Sequence, residues 1–179
     1  MKYSINQTKK ALGEAQTVLH WYVLISNPPK ALKVDKDIVV RVTTATLPTA
    51  NVENTQLQLQ GHTINYTGKI TKAGEITWNF YEGTDAKVTN LFMEWAKLRW
   101  GGDGKDTTGK QILTNDVKAD ITMKLLGPND EVTQTYVLIG AMPKLEPGGQ
   151  LGQTSEPLQP VITWDFDDFH WGKGDSTTW

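Results

Sequence analysis

The sequence predicts a mainly β protein, a β-sandwich or barrel with one packed α-helix. Three observations carry this. Apolar and polar residues alternate with period two in several short runs, such as Ile76-Thr77-Trp78-Asn79-Phe80 and Ile162-Thr163-Trp164-Asp165-Phe166, the pattern of strands with one buried face. Only one stretch, Val88 to Leu98, keeps helical spacing. Between the runs stand turn formers such as Asn27-Pro28-Pro29 and Gly127-Pro128-Asn129-Asp130. Strands, then one helix, then more strands imply layers of sheet with a single helix against them.

The elements follow in order. Residues 1–15 are polar and read as an arm or short helix. Val18 to Ile25, rich in β-branched and aromatic residues, reads as a strand closed by Asn27-Pro28-Pro29. Ile38, Val40 and Val42 alternate with Val39, Arg41 and Thr43, which predicts a second strand ending at Thr46-Leu47-Pro48. Residues 51–72 form a long polar hairpin with few core residues, turning near Gly61-His62. Such a hairpin is poorly stable alone and needs a partner surface. Glu75 to Glu82 is a strand with Ile76, Trp78 and Phe80 on one face. Thr84 or Asp85 can cap the next helix, residues 84–100, whose Val88, Leu91, Phe92, Trp95 and Leu98 make one apolar stripe ended by Gly101-Gly102.

After a glycine-bearing loop, Val117 to Leu125 and Val132 to Ala141 pair as a hairpin across the Gly127 to Asp130 turn. Residues 144–160, rich in Pro, Gly and Gln, read as an inserted loop. The run Val161 to Trp171 closes the chain, with Ile162, Trp164 and Phe166 on one face and Thr163, Asp165 and Asp167 on the other. Residues 172–179 form a loose tail. The expected core therefore includes Trp78, Phe80, Leu91, Phe92, Trp95, Trp164 and Phe166.

Bulk properties exclude several classes. The 179 residues make one domain with extensions, long enough for a sizeable core. Seven tryptophans are many for this length. A net charge of −2 gives no field for nucleic acid. Absence of cysteine excludes disulfides, thiolate metal sites and a cysteine nucleophile. Met1 to Leu12 lacks the apolar region of a secretory signal, and Val18 to Ile25 is too short to span a bilayer, so a soluble protein without membrane insertion is expected.

Several groups of residues are candidates for chemistry. Asp165, Asp167, Asp168 and His170 cluster, and two carboxylates about 6.6–6.8 Å apart on one strand face are able to hold a hard cation or to act as a pair in glycoside hydrolysis. A solvated acidic face is the plainer reading. Ser4, Ser26, Ser155 and Ser176 lie in turns or tails without a nucleophile elbow. His20, inside an apolar run, reads as a hydrogen-bonded structural residue. Gly101-Gly102-Asp103-Gly104-Lys105 follows a helix and lacks phosphate-loop spacing. Lys9-Lys10 and the Lys30 to Lys36 group are too sparse for a nucleic-acid patch. A carbohydrate-binding module with exposed tryptophans remains an alternative of a different class.

The ordered pieces resemble a known family. Thr46-Leu47-Pro48 ends an early strand and a polar hairpin follows. Next come Thr77-Trp78-Asn79-Phe80, the helical Phe92-Met93-Glu94-Trp95, Gly140-Ala141-Met142-Pro143 after a hairpin, and a closing Trp164-Asp165 strand. This series, over about Val18 to Trp171, is similar to the tail tube proteins of contractile-tailed bacteriophages, which resemble the type VI secretion tube protein Hcp in fold. The 144–160 loop and the 172–179 tail are departures from that pattern.

The resemblance implies a structural virion protein and not an enzyme, with no cofactor and no metal. Its copies form hexameric rings that stack into the rigid inner tail tube, which conducts DNA into the host after sheath contraction. Partners implied are further copies of the chain, the sheath, baseplate and tail terminator proteins, and tape-measure protein in the lumen. DNA passes without specific binding. The implied location is the phage tail, assembled in the host bacterial cytoplasm. A tube-initiating baseplate subunit and the tube of a phage-like contractile injection particle stay open as alternatives. Under this resemblance Asp165, Asp167, Thr163, Arg41 and Thr43 are lumen candidates, because acid there keeps phosphate from sticking. Gln56, Gln58, Gln60, His62 and Asn65 are inter-ring candidates. The 144–160 loop or the tail is expected to meet sheath or the next ring.

Overall fold

A computed structural model of the chain describes residues 20–35, 37–100, 116–144 and 157–175. The 1–15 arm, residues 101–115, most of the 144–160 segment and residues 176–179 lie outside the described residues. The described part is mainly β. Its strands are β1 (Trp21–Ser26), β2 (Val42–Ala45), β3 (Ala50–Leu59), β4 (His62–Lys72), β5 (Glu75–Phe80), β6 (Ala119–Leu126), β7 (Val132–Lys144), β8 (Val161–Asp165) and β9 (Asp168–Lys173). Two helices accompany them, α1 (Asp37–Val40) and α2 (Lys87–Trp100). All pairings are antiparallel.

Strand β7 organises the sheet. Its first part pairs β6 on one side and β9 on the other, and its last part, Met142 to Lys144, pairs β8. The sheet continues outward as β8-β5-β2 from one part and β6-β1 from the other. Between the two parts sits Gly140, with φ +66°. That left-handed backbone favours glycine. A Cβ there would also run into the Asp167 carboxylate. One strand thus turns a corner and serves both halves of the sheet, as strands do in orthogonal sandwiches.

The core lies between the sheet halves and under α2. Trp164 meets Trp78, Phe92 and Trp95 edge to face, at 5.3, 5.6 and 5.5 Å between ring centres, and Phe92 stacks on Trp95. All four are essentially fully buried, as is Phe80. Leu91 and Phe166 are buried at its margin. The Trp95 indole N–H donates to the Val117 carbonyl at 2.7 Å. The indole N–H groups of Trp78 and Trp164 are buried without a hydrogen-bond partner. Edge-to-face rings put positive edges on negative faces, which offsets part of that cost.

Several expectations need correction. The second strand begins only at Val42. Residues 37–40 instead form α1, with Ile38 buried and Val40 83% exposed, an order no alternating strand gives. The Ile38 amide donates to the Asp35 carbonyl and the Arg41 amide to that of Ile38, so local turn bonds override β-branched propensity. His20 is exposed ahead of β1 and is not a strand-interior residue; its carbonyl accepts from Leu126.

Helix α2 starts at Lys87; Asp85 accepts from the Lys87 backbone, and most of the cap is supplied by a residue further upstream. The buried Glu82 carboxylate accepts from the backbone of Val88 and Thr89, at 3.2 and 2.7 Å, and from the Thr89 hydroxyl at 2.6 Å. A carboxylate there satisfies free amides and faces the positive helix end. Asp85 also receives both Arg41 nitrogens, at 2.9 and 2.7 Å.

The closing run is two strands. From Thr163 it runs beside β7 but breaks at Phe166-Asp167, opposite the Gly140 corner, where the Asp167 amide donates to the Ile139 carbonyl at 3.0 Å. The tail is ordered through Asp175: β9 runs to Lys173, the Thr135 hydroxyl donates to the Gly174 carbonyl, and Lys124 pairs with Asp175. No described helix is long and apolar enough to cross a membrane.

Trp164→Ala removes the ring that three others pack against. It should cost about 3–5 kcal/mol, measured as a shift in urea midpoint at unchanged slope.

Candidate assembly surfaces

The β3–β4 hairpin is the least packed part of the described chain. All residues of both strands are exposed except the half-buried Gly68. It turns at Gln60-Gly61, both at positive φ (50° and 81°), the two-residue hairpin turn whose twist matches its strands. The turn is therefore one residue earlier than Gly61-His62, and His62 opens β4. Leu57 pairs with Ile64, Thr55 with Tyr66 and Leu59 with His62, so these share one face. Gln56, paired with Asn65, and Gln58, paired with Thr63, take the other. Of the inter-ring candidates, Gln56, Gln58 and Asn65 thus lie together, His62 lies opposite them and Gln60 sits in the turn. The exposed Leu57, Leu59, Ile64 and Tyr66 alternate with Gln, Asn and Thr in the sequence but are not among the inter-ring candidates.

The hairpin's base is tied down. Lys72 pairs with Asp168, donates to the Phe169 carbonyl at 3.3 Å and lies 5.4 Å from the centre of the Phe169 ring. The Ala73 amide donates to Thr49 and the Phe166 amide to Gly74. The hydrogen bond from Lys72 holds the Asp168 carboxyl below the usual range.

The lumen candidates do not form one wall. Thr163 and Asp165 lie on the solvent side of β8, beside Thr77 and Glu75 of β5. Lys144 donates to Glu75 at 2.8 Å, and this hydrogen bond lowers the Glu75 carboxyl. Thr43 sits at an irregularity of β2, its hydroxyl donating to the Asn79 carbonyl at 3.1 Å. Arg41 is bound at the start of α2. Asp167 is at the corner, on Lys118 at 2.6 Å. Two acids of the closing run are thus directed to different lysines, Asp167 to Lys118 and Asp168 to Lys72, while Asp165 lies opposite Glu75. Among the described residues no three His, Asp or Glu converge as metal ligands. Of the tryptophans with described side chains, Trp78, Trp95 and Trp164 are in the core, Trp21 is half-buried and Trp171 is 48% exposed, so no flat pair of rings faces solvent.

No protein-family model and no curated protein matches the sequence. Solved structures do match the fold. A chain of the anti-feeding prophage tube-terminating cap aligns with 90% of this chain and 93% of its own, at TM-score 0.62 and 15% identity. A chain of the sheath/tube terminator of an extracellular contractile injection system, PVC, aligns over 90% and 99% at TM-score 0.62 and 12% identity. A chain of the PVC sheath–tube complex aligns over 96% and 99% at TM-score 0.57 and 15% identity. The chain has the tail-tube fold. At these identities it is the backbone arrangement that is shared. The side chains discussed above are this chain's own.

In this tail-tube fold the Lys72–Asp168 clasp sets a pH dependence. The folded pKa of Asp168 is depressed, so its contribution is complete above the ordinary aspartate value, about 3.9, and disappears as pH falls through the lower folded value. Melting temperature should therefore fall less steeply below about pH 4 in Asp168→Asn than in the parent; identical acid limbs would mean that the clasp adds no stability.

Proposed function

We propose that this chain is a structural subunit of the inner tube of a contractile tail. Copies close into hexameric rings, rings stack into a hollow tube, and a sheath encloses it. The observation that carries this is the β3–β4 hairpin: twenty-one strand residues, exposed on both faces and tied to the body at their base, on a tail-tube fold. An isolated two-stranded hairpin is marginal in water. It is stable once neighbours cover it, and ring closure with stacking gives every copy the same neighbours. Joining sheet edges between copies also removes strand edges that would otherwise invite uncontrolled pairing.

Sheath, baseplate and terminator proteins are the partners this reading assigns. In a bacteriophage the tube sits in the virion, is assembled in the host cytoplasm, holds tape-measure protein and then passes DNA. A contractile injection particle is the second reading, supported by the matching structures, which come from such particles. No catalytic role is assigned: Asp167 and Asp168 are taken up by separate lysines, and Asp165 lies beside Glu75. The carbohydrate-module alternative loses its platform with the burial of Trp78, Trp95 and Trp164.

The solvent face of β5 and β8, with Thr77, Thr163 and Asp165, is assigned to the lumen. Thr163→Cys should react with a bulky maleimide in the free subunit and be protected in assembled tubes; equal labelling in both would place this face outside.

Electron microscopy of concentrated protein should show six-fold rings or uniform hollow tubes. Replacing residues 54–68 by a short turn should leave the melting temperature of the body within about 2 °C, because the segment adds little buried area, and should abolish tubes. Normal tubes from that variant would remove the hairpin from the assembly.

A further inference from the structure

The hairpin has an inversion in it. Strand β3 runs without interruption, but β4 carries one extra residue: Val52 pairs with Ile70 and Asn54 with Thr67, so Glu53 stands opposite both Gly68 and Lys69. A Cβ at Gly68 would come within 2.6 Å of the Glu53 carbonyl oxygen, so the bulge needs glycine there. Beyond the bulge the apolar row is on one face: Leu57, Leu59, Ile64 and Tyr66. Before it the apolar pair Val52 and Ile70 lies on the opposite face. The hydrogen bond from the Thr71 hydroxyl to Glu53, at 3.2 Å, fixes the parity, because it places both with the Leu57 face and leaves Val52 and Ile70 on the other. All six apolar side chains are 41% to 59% exposed.

Charge follows the same division. From Asn54 to Gly68 the chain has no Lys, Arg, Asp or Glu, and charges return at Glu53, Lys69 and Lys72. An uncharged, exposed strand pair lacks the usual protection against pairing. Depletion of charge marks the centre of a protein–protein contact and excludes a phosphate-binding surface. Reach and area point the same way. Ten residues of β3 extend about 30 Å, about the diameter of a small domain, so the distal row stands well clear of the body and the proximal pair close to it. One face of a two-stranded ribbon this long offers on the order of 300 Å², against about 800 Å² per partner in a stable interface. A contact on one face alone is too small; covering both approaches what is needed.

We infer that the hairpin is held between two different copies of the chain: Val52 and Ile70 dock on the adjacent copy in the same ring, and Leu57, Leu59, Ile64 and Tyr66 dock on a copy in the next ring. The inference rests on the tube reading. The bulge at Glu53/Gly68 is then the device that turns the apolar side from one neighbour to the other.

The test compares two lysine pairs in the full chain, Leu57→Lys with Ile64→Lys and Val52→Lys with Ile70→Lys, beside the parent, by sedimentation and electron microscopy at high concentration with a crowding agent. All four positions are exposed in the subunit, and an unchanged melting temperature in dilute solution checks that the body is intact. The same positions changed to Thr serve if lysine perturbs it. The expected result is separate rings without tubes from the distal pair and loss of rings from the proximal pair. Tubes of normal length from either variant, or the same endpoint from both, would overturn the two-sided contact while leaving the tube reading in place. A parent that forms neither rings nor tubes would overturn the tube reading and this inference with it.

Discussion

The described fold is arranged around one strand that has to belong to two halves of a sheet. β7 cannot stay straight and pair β6 and β9 at one end and β8 at the other. The bend is concentrated at Gly140, whose positive φ is open to glycine and costly for other residues. The consequence propagates to β8 and β9. They run beside β7 and must break where it bends, and the Phe166-Asp167 step lets Phe166 turn into the core while Asp167 turns out to Lys118. The corner brings β5 and β8 over α2, and that is what gathers Trp78, Trp164, Phe92 and Trp95 into one aromatic cluster. The same corner receives the hairpin, because Phe166 donates to Gly74 and Asp168 holds Lys72.

The sequence makes the core legible because the core obeys simple periods. Ile76, Trp78 and Phe80 alternate in a strand, and Val88, Leu91, Phe92 and Trp95 follow a helical stripe; both patterns place side chains before any tertiary contact is known. What local pattern does not carry is pairing at a distance. Nothing in Asp37-Ile38-Val39-Val40 announces a turn of helix, since β-branched residues favour a strand and turn bonds from Asp35 decide otherwise. Nor does period two reveal that Val161 to Trp171 breaks, because the cause lies at Gly140, outside the run. Glu82 as helix cap was hidden for the same kind of reason: its carboxylate reaches past an intervening turn that the usual cap spacing does not include.

The hairpin was legible as an underpacked segment but not in its sides. The polar residues drew attention because a run of Gln, Asn and Thr is conspicuous, whereas the apolar residues between them looked too few for a core. They are too few for an internal core. On an element exposed on both faces the relevant comparison is with an interface, where a handful of apolar side chains inside a charge-free patch is enough to anchor a contact. Which side each falls on depends on the bulge at Glu53, and a one-residue irregularity of pairing is invisible until the register is known.

Charge divides the described molecule into a body that is cross-braced and an extension that is neutral. Arg41 to Asp85, Lys118 to Asp167, Lys72 to Asp168, Lys124 to Asp175 and Lys144 to Glu75 each join elements far apart in sequence. Exposed pairs like these add little stability individually. Their placement matters more than their strength. Two of them, on Asp167 and Asp168, flank the corner. A lever that must present its far end accurately to a neighbour gains from a fixed base, and a far end that must be buried by that neighbour gains from having no charge to desolvate. The sequence meets both requirements within one hairpin, with the change from charged to uncharged falling at the bulge where the apolar side changes as well.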